Sequence, residues 1–406
     1  MSPNIPPIIL VERHVIKRAD PRYGVIDAAA FASKNLYNLA NYQVRQTFFG
    51  EGRWLRWGDL FRCLKTDPAY CALPRKVSNL VLQQVDRNWK AFFQALKAWR
   101  EEPTRFLGRP KPPGYKDKQK GRNLLVYDTQ ALSKRCLRQG VIQPSKLGIE
   151  IKTNKTDIKQ VRIVPRQEHY VIEAVYASQP KKADVNPDLV AGIDIGLSNL
   201  ATLTSNKRGF QPLAVNGRPL KAMNQYYNKH KAKLQSQLPG QRHTSHRIQQ
   251  LTHKRNQKVR HYLHGASRMV VNHLVHEGIG TLVIGQNKQW KQAINLGKQT
   301  NQNFVTIPLT QFVHMLTYKA QLVGIQVIIH EESYTSKCSF LDLEPVGKQA
   351  VYVGRRIQRG LFRSAAGRFI NADVNGAYNI IRKAIPKAFA DGIEGVAVHP
   401  MRVTPA

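Results

Sequence analysis

Apolar residues along this chain follow two periods that alternate in blocks. Between residues 26 and 49, Leu36, Tyr37, Ala40, Val44 and Phe48 share one helical face, which predicts an amphipathic helix. A second helix is predicted where Val77, Val81, Val85, Trp89, Phe92, Leu96 and Trp99 recur, with Arg87, Lys90 and Lys97 on other faces. That aromatic stripe reads as core in preference to a base-stacking platform. Strand patterning flanks the helical block: IILVERHVIKR at residues 8–18, then GVIQPSKLGIEIKT, VRIVPR and HYVIEAVYA between residues 141 and 177. One strand before the helices and several after predict a small β-barrel with the helices inserted into it.

From residue 189 the pattern changes. DLVAGIDIGLSNLATLTSN reads as strand, tight turn and strand, and PLAVN as a third strand. A basic helical region covers residues 221–275, broken near Pro239-Gly240. A strand (TLVIG, 281–285), a helix (308–323), a strand (IQVIIH, 325–330), an irregular segment and a final helix near Asp373 follow. Three meandering strands and then alternating helices and strands are the order of a RuvC/RNase H-like α/β core. The expected architecture is multidomain α/β. Its boundaries are 1–21 and 101–180 for the barrel, 22–100 for the helical domain, and 187–334 with 371–386 for the core. Residues 335–370 form an insert, and 387–406 an unassigned tail.

Composition sharpens this picture. In 406 residues, 63 Lys and Arg face 26 Asp and Glu, a net charge of +37. Self-repulsion of that size calls for a polyanionic partner. A ribosomal or chromatin-type protein is the bland alternative, whereas charge spread along the whole chain argues against a membrane-surface role. No apolar run reaches the ~18 residues of a membrane span, and no signal peptide is read, so the expected location is cytoplasmic. Residues 100–122 hold four prolines, three glycines and eight Lys or Arg. Such an extended basic stretch suits phosphate tracking by Arg109, Lys111, Tyr115 and Lys116, with a flexible linker as the plain alternative. Cys63, Cys71, Cys136 and Cys338 are scattered without a CxxC, and read as free thiols.

Phosphodiester hydrolysis on such a core uses carboxylates that hold two Mg²⁺ ions about 3.5–4 Å apart. Asp194, in the apolar strand AGIDIG, is the first candidate, because an unpaired charge there is costly. Asp373, in NADVNGAYNIIRKA, is the second, although Asp is also a favoured helix N-cap. At the end of TLVIG, where a third acid is expected, the chain offers Gly285, Gln286 and Asn287. Between Asp194 and Asp342 the only acids are Glu277, Glu331 and Glu332. Glu277 precedes its strand, which leaves the Glu331-Glu332 pair at the carboxyl end of IQVIIH. Neighbouring strands are about 4.8 Å apart, so one glutamate could enter the space left by Gly285. The alternative is that both are solvated and the site is broken.

AGIDIGLSNLATL, the VIG strand, YTSKCS and NADVNGAYNIIRKA resemble the nuclease motifs of the TnpB/OrfB proteins of insertion sequences, relatives of type V CRISPR effectors. The helical insertion, GRPKPPGYK and KLGIEI resemble that family's recognition and wedge regions, and the likeness covers roughly residues 8–385. It implies an RNA-guided, Mg²⁺-dependent DNA endonuclease encoded by a prokaryotic transposable element. Its partners would be an omega-type guide RNA and double-stranded target DNA, cut beside a short motif after guide pairing. A nucleoid-associated location and a monomer are the corresponding expectations. Relatives that carry the acid just before YTS make Glu332 the implied ligand with Asp194 and Asp373, and Glu331 the second choice. SFLDLEP and FRSAAGR stand where the family's zinc-ribbon cysteine pairs would be, so no structural zinc is expected in the insert.

No Asp or Glu lies between Ile195 and His276. This stretch suits backbone binding through Lys229, Lys231, Lys233, Arg242, Arg247, Lys254, Arg255, Lys258 and Arg260. The competing readings are a nuclease-dead, RNA-guided DNA-binding repressor and a transposase or recombinase accessory protein.

Overall fold

The computed structural model describes residues 6–287 and 307–405. The chain divides into two compact units, one of residues 9–178, the other running from Gln179 onward together with the N-terminal residues up to Ile8.

In the first unit, β1 (Ile8–Lys17) leads into α1 (Tyr23–Glu51), α2 (Trp57–Leu64), α3 (Pro68–Cys71) and α4 (Arg75–Glu101). Then come β2 (Leu125–Asp128), α5 (Lys134–Arg138), β3 (Val141–Ile142), β4 (Ile151–Lys152), β5 (Ile158–Pro165) and β6 (His169–Ser178). The main sheet has the order β1-β6-β5-β2, and β3 and β4 pair separately. Among the described residues this is an open sheet with β1 and β2 at its edges; the closed barrel expected from the sequence is not seen in its pairing. GVIQPSKLGIEIKT contributes only the two-residue strands β3 and β4. Pro144 between them has no N–H to donate, and Lys146 and Gly148 take positive φ angles of 56° and 66°.

Of the aromatic stripe of α4, Trp89 is core and Phe92 packs half-buried against it, while Trp99 stands outside the apolar clusters. Trp89 is fully buried, with the rings of Phe48 and Phe93 at 5.4 and 5.9 Å. Burying an indole requires a partner for its N–H, and Trp89 Nε1 donates to Asn41 Oδ1 at 2.9 Å. Asn41 Nδ2 in turn donates to the carbonyl of Pro113 at 3.0 Å. The same face of α1 holds the basic stretch further along. Asn38 donates to the carbonyl of Lys116 and accepts from its N–H, both at 2.9 Å, and Lys34 Nζ donates to the Lys118 carbonyl at 2.7 Å. This part of the proline-rich segment is therefore extended but clasped, because helix side chains supply the hydrogen bonds its backbone cannot make to itself.

In the second unit, β7 (Asn186–Asp194), β8 (Asn199–Ser205) and β9 (Leu213–Asn216) form an antiparallel meander. α6 (Arg218–Ser236) and α7 (His246–His276) follow, then β10 (Ile279–Gly285), α8 (Leu309–Leu322) and β11 (Gln326–His330). β12 (Arg355–Gln358), β13 (Leu361–Arg363) and β14 (Phe369–Asn371) make a small sheet within the insert, before α9 (Ala372–Ala384) and β15 (Met401–Val403). The large sheet runs β11-β10-β7-β8-β9-β15, with β10 parallel to both β7 and β11. Residues 401–403, left unassigned from the sequence, pair in parallel with β9. One apolar cluster joins this sheet to α7 and α8; a second joins it to α9 and to Phe340 and Phe362 of the insert.

Candidate active site

Three parallel strands end together, and in open α/β sheets that is where functional groups collect. Asp194 is the last residue of β7 and faces Thr202 across the meander. Ile193 pairs with Ile284, so Gly285 closes β10 beside it, and Gly285 itself faces His330. The two residues after His330 are Glu331 and Glu332, and they part company. A Cβ built on Gly285 would meet Glu332 Oε2 at 2.5 Å and Ile380 Cδ1 at 2.6 Å. The Glu332 carboxylate thus lies in the space a side chain at position 285 would take. Glu332 Oε1 accepts a 3.4 Å bond from Asn287 Nδ2, while the buried Oε2 has no hydrogen-bond partner.

Glu331 turns the other way. Lys383 Nζ donates to its Oε2 at 2.6 Å, and the Ser333 N–H and hydroxyl donate at 2.9 and 2.7 Å. Those donors hold its carboxyl at about 2. Its lone pairs are engaged and its side chain is half exposed, so Glu331, second choice from the sequence, is not brought to the other acids.

Asp373 sits in the first turn of α9. It is not the cap: Asn371 Oδ1 accepts from the N–H groups of Asp373 and Val374 at 3.0 and 3.2 Å, which leaves the Asp373 carboxylate available. Asn199 Nδ2 donates to Asp373 Oδ2 at 2.8 Å, and Arg356 lies 4.0 Å from Oδ1. α9 lies close on β7, because a Cβ on Gly192 would stand 2.5 Å from the Ala377 carbonyl oxygen and one on Gly376 3.0 Å from Asp194 Oδ2.

Electrostatics ties the three acids to one locality. The Asp194 carboxyl is pushed well above its ordinary range, first by burial, then by the charges of Asp373 and Glu332, with Arg356 opposing. Glu332 is raised to about 7, chiefly by burial and then by Glu331. Like charges gathered out of water, one of them with an orphaned oxygen, suit a cation. The donor set is all oxygen, which fits a hard divalent ion. Among the described residues, however, no three His, Cys, Asp or Glu side chains already close on a point as a metal cage. On the rim, Arg359 and Lys221 each donate to Ser198 Oγ, at 2.7 and 2.8 Å.

Of the basic residues singled out from the sequence, Lys229, Lys233, Arg242, Arg247, Lys254 and Lys258 are exposed, and Lys231, Arg255 and Arg260 are half-buried. In the first unit, Arg109 and Lys111 are exposed, with Arg109 5.9 Å from the Trp99 ring. Lys116 lies over the Tyr37 ring, and Tyr115 stands beside Arg45. Sequence reasoning gave no role to Asn199, Asn287, Arg356 or Lys383. Asn199 and Lys383 lie within quoted motifs and Asn287 was named only as a residue that is not an acid; nothing in the sequence marked Arg356, which arrives by tertiary contact.

In the insert, Cys338 is buried beside Phe340, and its Sγ lies 3.6 Å from the Gly347 carbonyl. The Glu344 carboxylate accepts from the N–H groups of Ser339 and Val353 at 2.6 and 3.1 Å.

Comparison with known proteins bears on the family and the fold. The OrfB_IS605 family, described as a probable transposase, matches residues 173–291, and the TNB domain of Cas12f1-like proteins matches residues 310–380. A TnpB-like protein of Acidianus two-tailed virus, ORF457, is 24% identical over 402 residues, covering 87% of this chain and 82% of the viral protein. Cas12f1, from a cryo-EM structure of its complex with sgRNA and target DNA, superposes with a TM-score of 0.54 at 12% identity, over 87% of this chain and 82% of that one. That last likeness is one of fold. Two family matches in sequence order and a TnpB-like relative along most of its length support placing this chain with the TnpB proteins.

Proposed function

We propose that this protein is an RNA-guided DNA endonuclease of a transposable element, which cuts duplex DNA beside a short motif once guide and target have paired. Asp194, Glu332 and Asp373 would hold two Mg²⁺ ions. Bound there, the ions would supply activation of a water and neutralisation of the charge on the leaving oxygen. The chain's own residues prepare the site. Asn199 fixes one oxygen of Asp373, Asn287 steadies Glu332, and the Gly285 gap admits the Glu332 carboxylate beside Asp194. Lys383 withdraws Glu331, so one negative charge fewer opposes an incoming phosphate. Arg356, Arg359 and Lys221 on the rim favour phosphate approach. The observation that carries the reading is the buried, unpartnered Glu332 Oε2 in a neighbourhood that already raises Asp194.

The test uses protein loaded with its copurifying RNA, matched duplex DNA and Mg²⁺. Cutting is expected, with Asp194→Ala and Glu332→Gln abolishing it while guided binding persists; Glu331→Gln should stay within about threefold of the native rate, the scale of one exposed ion pair. Cutting that survives Asp194→Ala would refute the assignment. A second reading, a guided binder without cleavage, is favoured by the absence of a closed cage among the described acids. It predicts binding and no cutting with any divalent ion.

A further inference from the structure

α6 and α7 form a hairpin that the catalytic reading leaves without a task. Between them lies a groove of about 770 Å³, lined by Met223, Tyr227, Leu234 and Leu251 inside and by cationic side chains outside. That volume lies within the ~300–1,000 Å³ of pockets that take small organic groups. Tyr227 is structural: its hydroxyl pairs with Thr252 Oγ1 at 3.0 Å, and the Arg255 guanidinium lies 5.6 Å from its ring. Tyr226 is different. It also lines the groove, yet it is 61% exposed, and its ring lies against that of His230, centroids 4.0 Å apart and planes tilted 42°. Residues 226, 230 and 233 succeed one another on one face of α6, and 247, 254 and 258 on one face of α7. The groove therefore presents an exposed π-surface between Lys233 on one wall and Arg247, Lys254 and Lys258 on the other, all four exposed. Neither helix contains an Asp or Glu.

We infer that this groove holds an unpaired nucleotide of RNA, its base stacked on Tyr226 and His230 and its flanking phosphates against Lys233, Lys254 and Lys258. A duplex keeps its bases stacked on one another and has no free base face to lay on an exposed ring. An unpaired loop or bulge can splay a base onto an aromatic side chain, which is how proteins commonly read RNA. Charge selects the polyanion, and the exposed aromatic pair, which needs a free base face, selects against its double-stranded form. The amides of Gln237 and Gln250, also on the groove wall, suit a 2′-hydroxyl, which both donates and accepts. The inference rests on the guided-nuclease reading, since it names the part of the guide that the hairpin would hold.

The experiment measures binding of the full-length chain, freed of copurified RNA, to labelled eight-nucleotide RNA, the same sequence as DNA, and an RNA duplex. A 2-aminopurine in the single strands reports stacking. Tyr226→Ala should weaken single-stranded RNA binding about tenfold, within the range for loss of one stacked base, and remove the quenching of 2-aminopurine. Duplex binding should not change, and Tyr226→Trp should restore both readouts. Lys254→Gln should lower the salt dependence by about one phosphate contact. The slot is overturned if Tyr226→Ala binds the single strand as the native chain does, or if it weakens single strand and duplex alike. Equal or tighter binding of the DNA strand overturns the assignment to RNA. Guided cutting is assayed separately: Asp194-dependent cutting with no Tyr226 effect sinks the slot alone, and Tyr226-dependent RNA binding in a chain that never cuts sinks the nuclease reading alone.

Discussion

Position 285 shows how much one missing side chain can decide. A side chain at the end of β10 would send its Cβ into a volume that Glu332 fills from the neighbouring strand. A methyl group there meets the tip of Glu332, which is flexible, and Ile380 Cδ1, which can also turn. Gly285→Ala is therefore expected to fold, with Tm within a few degrees of native, and to lower guided cutting by at least about tenfold, as a displaced catalytic group does. Thermal melts beside cleavage rates test this, and undiminished cutting would show that the gap is incidental. Asp27 is a second decisive residue, in the first unit. It accepts from Arg122 at 2.9 and 2.6 Å and from the Tyr170 hydroxyl at 2.6 Å. The Arg122 bonds above all hold its carboxyl below the ordinary value. The unfolded chain therefore binds a proton first as pH falls. The stabilisation is complete above the unfolded value of ~3.9 and is lost as pH drops through the lower folded one. Asp27→Asn should cost about 2 kcal/mol at pH 7, with the gap to native narrowing below pH ~4 in urea titrations.

At the scale of elements, the sequence spoke clearly where periodicity was long and weakly where it was short. α1 and α4 follow directly from their apolar spacing, and α7 and α8 correspond to the helical regions expected at 221–275 and 308–323. β15, with three residues, and the small sheet of the insert have too few positions to show a period, and each depends on a partner distant in sequence. Elimination reached only the Glu331-Glu332 pair, because no other acid follows a neighbouring strand, and the family resemblance singled out Glu332; its separation from Glu331 depends on Lys383, which no pattern announced. The basic segment around Pro113 was legible as extended, but its clasp by Asn38 and Asn41 was not, since hydrogen bonds across more than seventy residues leave no local trace. Asn41 is the pivot of that clasp. Asn41→Leu should leave the Trp89 N–H buried and unpaired, at a cost of about 2–3 kcal/mol, and should speed proteolysis within residues 105–122. Similarly, Glu344→Gln weakens the bond to the Ser339 N–H, and limited proteolysis should show the insert opening earlier than in the native protein. EDTA alone should not reproduce that change.

For the whole molecule, a net charge of +37 is a standing stress. Self-repulsion weakens the compact state when few counterions are present. The RNA-free protein should thus melt several degrees higher in 0.5 M than in 0.05 M salt, and bound RNA should give a larger rise at low salt. A melting temperature indifferent to both would mean that the cations are already compensated within the fold.

The close seating of α9 on β7 has one more consequence. Backbone meets backbone at Gly192, where a Cβ would stand 2.5 Å from the Ala377 carbonyl oxygen, and Gly376 leaves the Asp194 carboxylate its place beside the helix. The spacing of helix and strand is thus a ruler cut from peptide units at Gly192. Repacking the interior elsewhere should leave that ruler unchanged, whereas a single methyl at residue 192 would reset it.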